Sequence, residues 1–433
     1  MAKTRIGIDV GSTAVRVAEV AAGDVPVVVR AAQVPLQPGV VEAGEVRQPE
    51  VLAEALRELL AKSGVKTKQV FLGVGNQRVI VREVALPWLP EKELRDTLAF
   101  QVQEFIPMST DEAVLDFDPL GELDQGGRRM QRILLVAAHK GMINALVDAA
   151  LAAKLDPIGI DLTPFAVIRA VGAGDEGLDL DSSGDEAIID VGAQVTSITV
   201  HDRGMTRFVR MLPSGGRDIT LALASGLGVD EEVAERLKRG EGVEPPMEET
   251  QPPAAGLEAE PTEPDAVQAV PGSATPSVPE MPGTDVPAAS GQPNPIAAAP
   301  AMSEGLRFPE PAEAPAVDPR PSAPSNGGPD PAEVRSLALA RAGSFVDEVR
   351  SSLEFYAAQM PNAQIGRVLV VGGGSRLDGL LELLQERLPV PVDRGRLFER
   401  AKSELDLSAE AAAEAEAVLS VAVGLAIPSR RPV

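Results

Sequence analysis

Ile8-Asp9-Val10-Gly11-Ser12-Thr13 is answered, 181 positions later, by Ile189-Asp190-Val191-Gly192-Ala193-Gln194. The likeness extends past the shared Ile-Asp-Val-Gly. After the first copy come a turn, a strand over 15–20, a turn at Gly23-Asp24 and a strand over 27–34. After the second come a strand over 196–200, a turn at Asp202-Arg203-Gly204 and a strand over 206–212. β-Branched runs punctuated by glycine and aspartate predict two equivalent three-stranded meanders. A duplicated core with a cleft between its halves follows.

The chemistry of the repeat suits phosphate. A tight hairpin turn of small residues lets backbone N–H groups approach phosphate oxygens, and Gly11 and Gly192 have no Cβ to block them. Ser12, Thr13, Gln194 and Thr196 add side-chain hydrogen-bonding groups. Asp9 and Asp190, at strand ends facing the cleft, are hard oxygen ligands for Mg2+, held through water. One Asp-x-Gly hairpin is ordinary turn chemistry; two in the same context point to a nucleotide's phosphates. A third cluster, Gly372-Gly373-Gly374-Ser375-Arg376, follows an apolar strand and precedes a helix expected from Leu377. Glycines there allow close ligand approach at a helix N-terminus. The cluster is not a dinucleotide fingerprint, which needs a following βαβ unit and a ribose-binding acid. Nor does the chain contain the Gly-Lys-Ser/Thr that ends a Walker loop.

Further elements extend the pattern. Residues 50–63 predict an amphipathic helix with Leu52, Leu56, Leu59 and Leu60 on one face. Residues 70–74 predict a buried strand, and 78–86 alternate as another. A helix is expected over 90–105, opening at Pro90 with Glu91 and Glu93 in its first turn. Strand 132–138, helix 140–154 and strand 156–161 follow. The mixture predicts an α/β protein.

Residues 241–331 stand apart. They hold 22 of the 38 prolines, one aromatic (Phe308), and 15 acidic against 2 basic residues. Such a stretch cannot bury enough apolar surface to offset its ordering entropy, so a disordered acidic linker is expected. Leu306-Arg307-Phe308 inside it reads as a chance cluster in a tether sooner than as a docking motif.

Composition narrows the partners. The net charge is −24 and aromatics are 3%. No basic patch is interleaved with aromatics, so nucleic acid is not an expected partner. With no cysteine, disulfides and thiolate metal sites are excluded and a reducing compartment is permitted. The first ten residues lack an apolar signal core, no apolar run reaches about 18 residues, and the last ten lack an amphipathic anchor. The expectation is a cytoplasmic protein that meets a membrane through a partner.

Together the motifs resemble the actin/Hsp70/sugar-kinase superfamily. Residues 8–13 are similar to its first phosphate loop, 189–196 to its second, and Gly372–Arg376 to its adenosine motif. Leu212-Pro213-Ser214-Gly215-Gly216-Arg217-Asp218-Ile219-Thr220 resembles the segment entering the nucleotide-side helix, which implies Gly215 and Gly216 as nucleotide contacts. Glu235 and Lys238 match residues that flank the nucleoside, and they fit a plain i,i+3 surface ion pair equally well.

A narrower resemblance is to the PilM family of type IV pilus assembly proteins. Ala85-Leu86-Pro87-Trp88-Leu89-Pro90-Glu91-Lys92-Glu93-Leu94 is similar to that family's ALPxMPEKEL segment. Phe105-Ile106-Pro107-Met108 and Asp111-Glu112-Ala113-Val114-Leu115-Asp116-Phe117 resemble its YIPFPLDEVVLDY segment. The resemblance implies a duplicated actin-like (ribonuclease H-like) ATPase core with a small inserted α+β subdomain and a long disordered linker. It divides the chain into 1–84 and 159–184 for the first subdomain, with 85–158 inserted. It gives 185–240 and 332–433 to the second domain, with 241–331 as linker. The implied cofactors are ATP and Mg2+. The implied partner is the N-terminal tail of PilN, a single-span membrane protein, held in a groove between the first and inserted subdomains. Pilus assembly ATPases are implied as further partners, and the implied location is the cytoplasmic face of the inner membrane.

One departure bears on turnover. Many relatives carry an acid before the proline where the chain re-enters the first domain. Asp161-Leu162-Thr163-Pro164 puts Thr163 there. Threonine cannot act as a carboxylate base, and Asp161 lies two residues off along a strand. Binding without fast hydrolysis is expected. Two other functions fit the superfamily: a small-molecule kinase, which needs an acceptor site and an Asp base, and an FtsA-like division ATPase, which needs a membrane anchor. His139 and His201 read as structural.

Overall fold

The first half is built on a six-stranded sheet. Its order is Asp156–Leu162, Gln69–Val74, Thr4–Val10, Ala14–Ala21, Val27–Pro35 and Lys402–Ser403. The middle strands form an antiparallel meander, and Gln69–Val74 and Asp156–Leu162 add in parallel. The computed structural model describes residues 3–172, 184–241, 329–360 and 363–429. The second half carries a five-stranded sheet in the order Met205–Leu212, Thr196–Asp202, Asp185–Val191, Ile365–Val371 and Val392–Arg394. It repeats the first: an antiparallel meander, then parallel strands. The duplication holds at single residues. Gly11 N–H donates to Ala14 O and Gly192 N–H to Val195 O, both at 3.1 Å.

Each half has its own core. In the first, alternate residues Ile6, Ile8, Val15 and Val17 are wholly buried against Leu52, Leu56 and Leu59 of helix Pro49–Ser63, as a period of two on strands and about 3.6 on helices requires. That helix opens on a proline and stops at Gly64, whose φ of 67° suits glycine. In the second, Ile189, Ile198 and Leu223 pack with Phe345, Val346 and Val349 of the long helix Pro331–Gln359. Asp330 Oδ1 caps that helix by accepting from Ala332 N–H at 3.0 Å. Pro331 therefore belongs to the helix, one residue inside the expected linker. The rest of the linker expectation, 242–328 with the Leu306–Phe308 cluster, lies outside the described residues.

A third core joins the halves. Helix Ser420–Ala426 packs on strands Thr4–Val10 and Ala14–Ala21 and on helix Thr163–Val171. The approach is close: a Cβ on Gly7 would lie 2.0 Å from Ala422 O, and one on Gly424 would lie 1.9 Å from Ala166 O. Strand Lys402–Ser403 and helix Ser420–Ala426 thus return to the first sheet, although their span, 332–433, was expected to serve the second domain alone.

The inserted sheet has the order Val79–Pro87, Arg128–His139, Ala113–Gln125, with helix Glu91–Gln101 packed on it through Leu94 and Leu98. Two expectations change here. The helix expected to reach 105 ends at Gln101, where Val102 caps it, its N–H donating to Leu98 O. The strand expected over 132–138 runs from Arg128 and pairs with Ala113–Gln125, a strand that was not expected. Charged residues and a bulge between Pro119 and Gly121 hide its alternation. Among the described residues, no helix is long and apolar enough to cross a membrane.

Candidate functional site

The two meanders bring their Asp-Val-Gly turns to the same cleft. Asp9 is the penultimate residue of Thr4–Val10 and pairs across the hairpin with Arg16. Arg16 Nη1 donates to Asp9 Oδ2 at 3.2 Å, and both side chains are largely buried. Asp190 holds the same place in the second hairpin, where its register partner is Ser197. Burial raises the Asp9 carboxyl above its ordinary range, with Arg16 drawing it back. Asp190 is pushed up to about 7, first by burial, then by the charge of Asp9, with Arg16 opposing. The two carboxylates therefore feel each other, and one guanidinium serves both. Arg16 was not among the expected site residues. Its signal was the hairpin register: once Gly11 closes on Ala14, position 9 faces position 16.

The turn tips differ in what they leave open. The amides of Ser12, Thr13, Ala193 and Gln194 have no hydrogen-bond acceptor among the described residues, and the same holds for the Ser12 and Thr13 hydroxyls. These are the groups a phosphate chain needs. Thr196 is committed elsewhere: wholly buried, its hydroxyl donates to Ser214 O at 2.8 Å. Gln194 spans the cleft, its Oε1 accepting the N–H of Ala43 at 2.7 Å.

Glycines pack the nucleotide-side turns together. A Cβ on Gly215 would lie 2.4 Å from Gly192 O. Gly216 and Arg217 N–H donate to Gly192 O and Ala193 O, and Gly215 N–H donates to Asp218 Oδ2. The first amides of helix Gly216–Leu227 are thus spent on the fold, so Gly215 and Gly216 serve by small size. Gly372, at φ 86°, comes so near the second loop that a Cβ would lie 2.4 Å from Asp190 Oδ1. Gly373–Arg376 form a 3-10 turn, and the helix expected from Leu377 begins at Leu380. The reason lies in Gly379, whose φ of 82° interrupts any earlier start. Ser375 Oγ donates to Gly372 O at 2.7 Å, and Arg376 reaches Glu414 at 3.7 Å from the exposed side. A cavity of about 280 Å3 adjoins this turn, lined by Ser375, Arg376, Arg394, Gly395 and Glu416.

Glu235 and Lys238 are more than a surface pair. Lys238 Nζ donates to Glu235 Oε2 at 2.5 Å, Thr220 Oγ1 at 2.8 Å and Gly216 O at 3.1 Å. Burial draws its ammonium below the usual lysine range. The network stands directly behind Gly216, where it holds the glycine turn in place.

The donor set fits a hydrated Mg2+ on a triphosphate. Among the described residues, no cluster of three or more His, Cys, Asp or Glu side chains gathers into a metal cage. Two facing carboxylates with open amides nearby instead suit an ion that keeps its waters and leans on phosphate oxygens. Asp161 is tied to Arg169 at 2.5 Å and accepts from Leu162 N–H, so it is not free to act as a base. His139 caps helix Lys140–Ala152 by accepting from Gly141 N–H, and His201 is wholly buried against Glu186 at 3.0 Å.

The family model for the type IV pilus assembly protein PilM matches residues 7–250, more than half of the chain. The chain belongs to that family. A second model, for the cell division protein FtsA, matches residues 187–418, the part that holds the second Asp-Val-Gly turn and the glycine turn. Among solved structures, the PilM-PilN type IV pilus biogenesis complex is similar at 22% identity and a TM-score of 0.68. The match covers 98% of this chain and 97% of that one. The ethanolamine utilization protein EutJ from Carboxydothermus hydrogenoformans is similar at 14% identity and TM-score 0.48, covering 99% and 90%. MreB5 of Spiroplasma citri bound to ADP is similar at 12% identity and TM-score 0.45, covering 98% and 94%. The fold of this PilM-family chain is the duplicated actin-like core with an inserted subdomain.

Proposed function

We propose that this PilM-family chain binds Mg2+-ATP between its two Asp-Val-Gly turns and acts as a scaffold in type IV pilus assembly, with nucleotide setting the closure of its halves. The observation that carries the reading is Asp190. Its carboxyl, pushed up to about 7, has no cation in its own hairpin and is set beside open amides and a glycine turn. Asp9 and Asp190 would hold Mg2+ through its waters, and the ion would supply the positive charge this pair lacks. Arg16 offers a cation at the first turn, and Gly192, Gly216 and Gly374 leave room. With Asp161 held by Arg169 and a threonine at 163, hydrolysis is slow or absent. ATP at ~100 times its Kd should stabilise the fold by about 2.7 kcal/mol. A thermal-shift titration in which Mg2+-ATP leaves the wild type unmoved rules the reading out, and turnover at the roughly 1–10³ s⁻¹ of ordinary enzymes rules out the scaffold half of it.

The partner is the N-terminal tail of a PilN-like membrane protein, which keeps the chain at the cytoplasmic face of the inner membrane. Support comes from the similar solved complex, in which PilM is paired with PilN, and from strand Val79–Pro87, an edge of the inserted sheet. An extended tail can add to such an edge. Trp88 follows that strand, its indole N–H donating to Glu122 at 3.0 Å and its ring covered by Arg129 at 3.9 Å. It is half-buried and is the single tryptophan, so its emission reports on the strand. The tail peptide should bind at around micromolar Kd, since it loses ordering entropy. Silence in both Trp88 emission and calorimetry, with Mg2+-ATP present, excludes this partner.

A further inference from the structure

The contact between Gln194 and Ala43 bridges the two halves at the cleft. Ala43 sits at the tip of the hairpin made by Val41–Glu42 and Glu45–Val46. Ala43 and Gly44 take φ of 47° and 76°, the pair of positive values a two-residue hairpin turn needs. The hairpin is fixed to its own half. Asn76 Nδ2 donates to Gly44 O at 3.4 Å, Arg78 Nη1 meets the Glu45 carboxylate at 3.3 Å, and a Cβ on Gly44 would lie 2.7 Å from Gly75 O. A rigid tip of the first half is thus held by a phosphate-loop residue of the second, two positions beyond Gly192. The same gap carries a charge pair. Arg217, on the first turn of helix Gly216–Leu227, is held mainly by Glu231 at 2.8 Å and is drawn also by Glu42 of the hairpin. Between them opens a cavity of about 230 Å3 lined by Glu42, Ala43, Gln194, Arg217, Asp218 and Leu221.

We propose that Ala43 and Gln194 form a latch over the nucleotide cleft, with Gln194 as the positioning residue that sets how fast bound nucleotide leaves. The inference rests on the nucleotide reading above and concerns regulation of that same site. Phosphates seated on the second loop fix the backbone of Gln194. The fixed side chain then holds the hairpin, and with it the first half. Loss of the hydrogen bond frees the second loop to draw back from Asp9 and release the nucleotide.

The chain has no cysteine, which makes a clean test. A fluorescent ATP analogue with Mg2+ is loaded onto the wild type, onto Gln194→Met and onto the double variant Ala43→Cys/Gln194→Cys, and release is followed by stopped flow. One such hydrogen bond predicts release about fivefold faster in Gln194→Met, with no more than a small drop in the nucleotide-free melting temperature, since the bond is already made without nucleotide. Joining the two cysteines with a short bismaleimide after loading should slow release at least about tenfold below the same variant left unjoined. The joined protein has no glutamine at 194, so slowing there cannot come from a glutamine–phosphate contact. Gln194→Met within twofold of wild type, or a joined protein that releases at the unjoined rate, overturns the latch while leaving nucleotide binding intact. A wild type that takes up no analogue overturns the nucleotide reading and the latch with it.

Discussion

The two Asp-Val-Gly turns share a backbone and differ in charge. Both close with a 3.1 Å hydrogen bond from the glycine to the residue three on. Both put an aspartate opposite the residue seven further along. In the first turn that residue is Arg16; in the second it is Ser197. The first carboxylate thus has a cation in its own hairpin, and the second has only what reaches it across the cleft. The two copies share the turn geometry and differ in charge balance. An unbalanced acid out of water costs stability, and on the proposed reading a bound cation would recover that cost.

The largest expected effect follows from Asp190. In the folded chain its carboxyl keeps a proton up to about pH 7, while in the unfolded chain it loses it near 3.8. Between those values the folded state binds more protons, so stability falls as pH rises from about 4 to 7 and then levels off. At 1.36 kcal/mol per unit, the whole loss is up to about 4 kcal/mol. Asp190→Asn has no charge to bury. It should exceed the wild type in nucleotide-free stability at pH 8 by up to that amount, by less than half of it at pH 5, converge on it only below about pH 4, and lose the stabilisation by Mg2+-ATP. Urea unfolding at both pH values reads the difference; an offset equal at pH 5 and pH 8 breaks the comparison.

Much of this was legible because turn chemistry is local. Glycine and aspartate spacing marked both meanders, and Gly11, Gly192 and Gly372 stand where close approach requires them. What escaped notice depends on contacts distant in sequence. Ser214 takes the hydroxyl of Thr196, and Ala43 takes the amide oxygen of Gln194, so neither side chain is free in the way its residue type suggested. Lys238 fitted a nucleoside contact and a surface pair equally well, since nothing in its own helix shows that Gly216 O lies within reach. Arg16 is legible too, because an arginine inside an apolar strand seven residues after the aspartate faces it by hairpin register alone. Strand Ala113–Gln125 escaped because its charges and bulge break the alternation on which strand recognition depends.

Making the first turn like the second gives the next effect. Arg16→Ser removes the cation from Asp9 and leaves two buried acids facing each other. Breaking one side of a buried pair costs about 3 kcal/mol, and here the cost is fully felt at pH 8, where both carboxylates must ionise. At pH 5 it should shrink, because burial already raises the Asp9 carboxyl and losing Arg16 raises it further. A loss of stability that does not depend on pH would mean that Arg16 acts through packing alone.

The smallest effects come from the next position, Val15 in the first copy and Thr196 in the second. Both are wholly buried. Val15 is apolar, while the hydroxyl of Thr196 is used by Ser214 O at 2.8 Å. Val15→Thr puts a hydroxyl where the surrounding core is apolar, at a cost of about 2 kcal/mol. Thr196→Val is nearly isosteric; it leaves Ser214 O without its donor and costs about 1 kcal/mol. The informative readout for Thr196→Val is nucleotide affinity. A hydroxyl held by Ser214 has no part in binding phosphate, so the Kd for Mg2+-ATP, measured by calorimetry, should stay within about twofold of wild type, well inside the tenfold that 1.4 kcal/mol represents. A tenfold weakening would show that the hydroxyl leaves Ser214 for the phosphates on binding. The second turn would then rearrange where the first, with valine at that place, cannot, and the difference between the copies would extend from charge to motion.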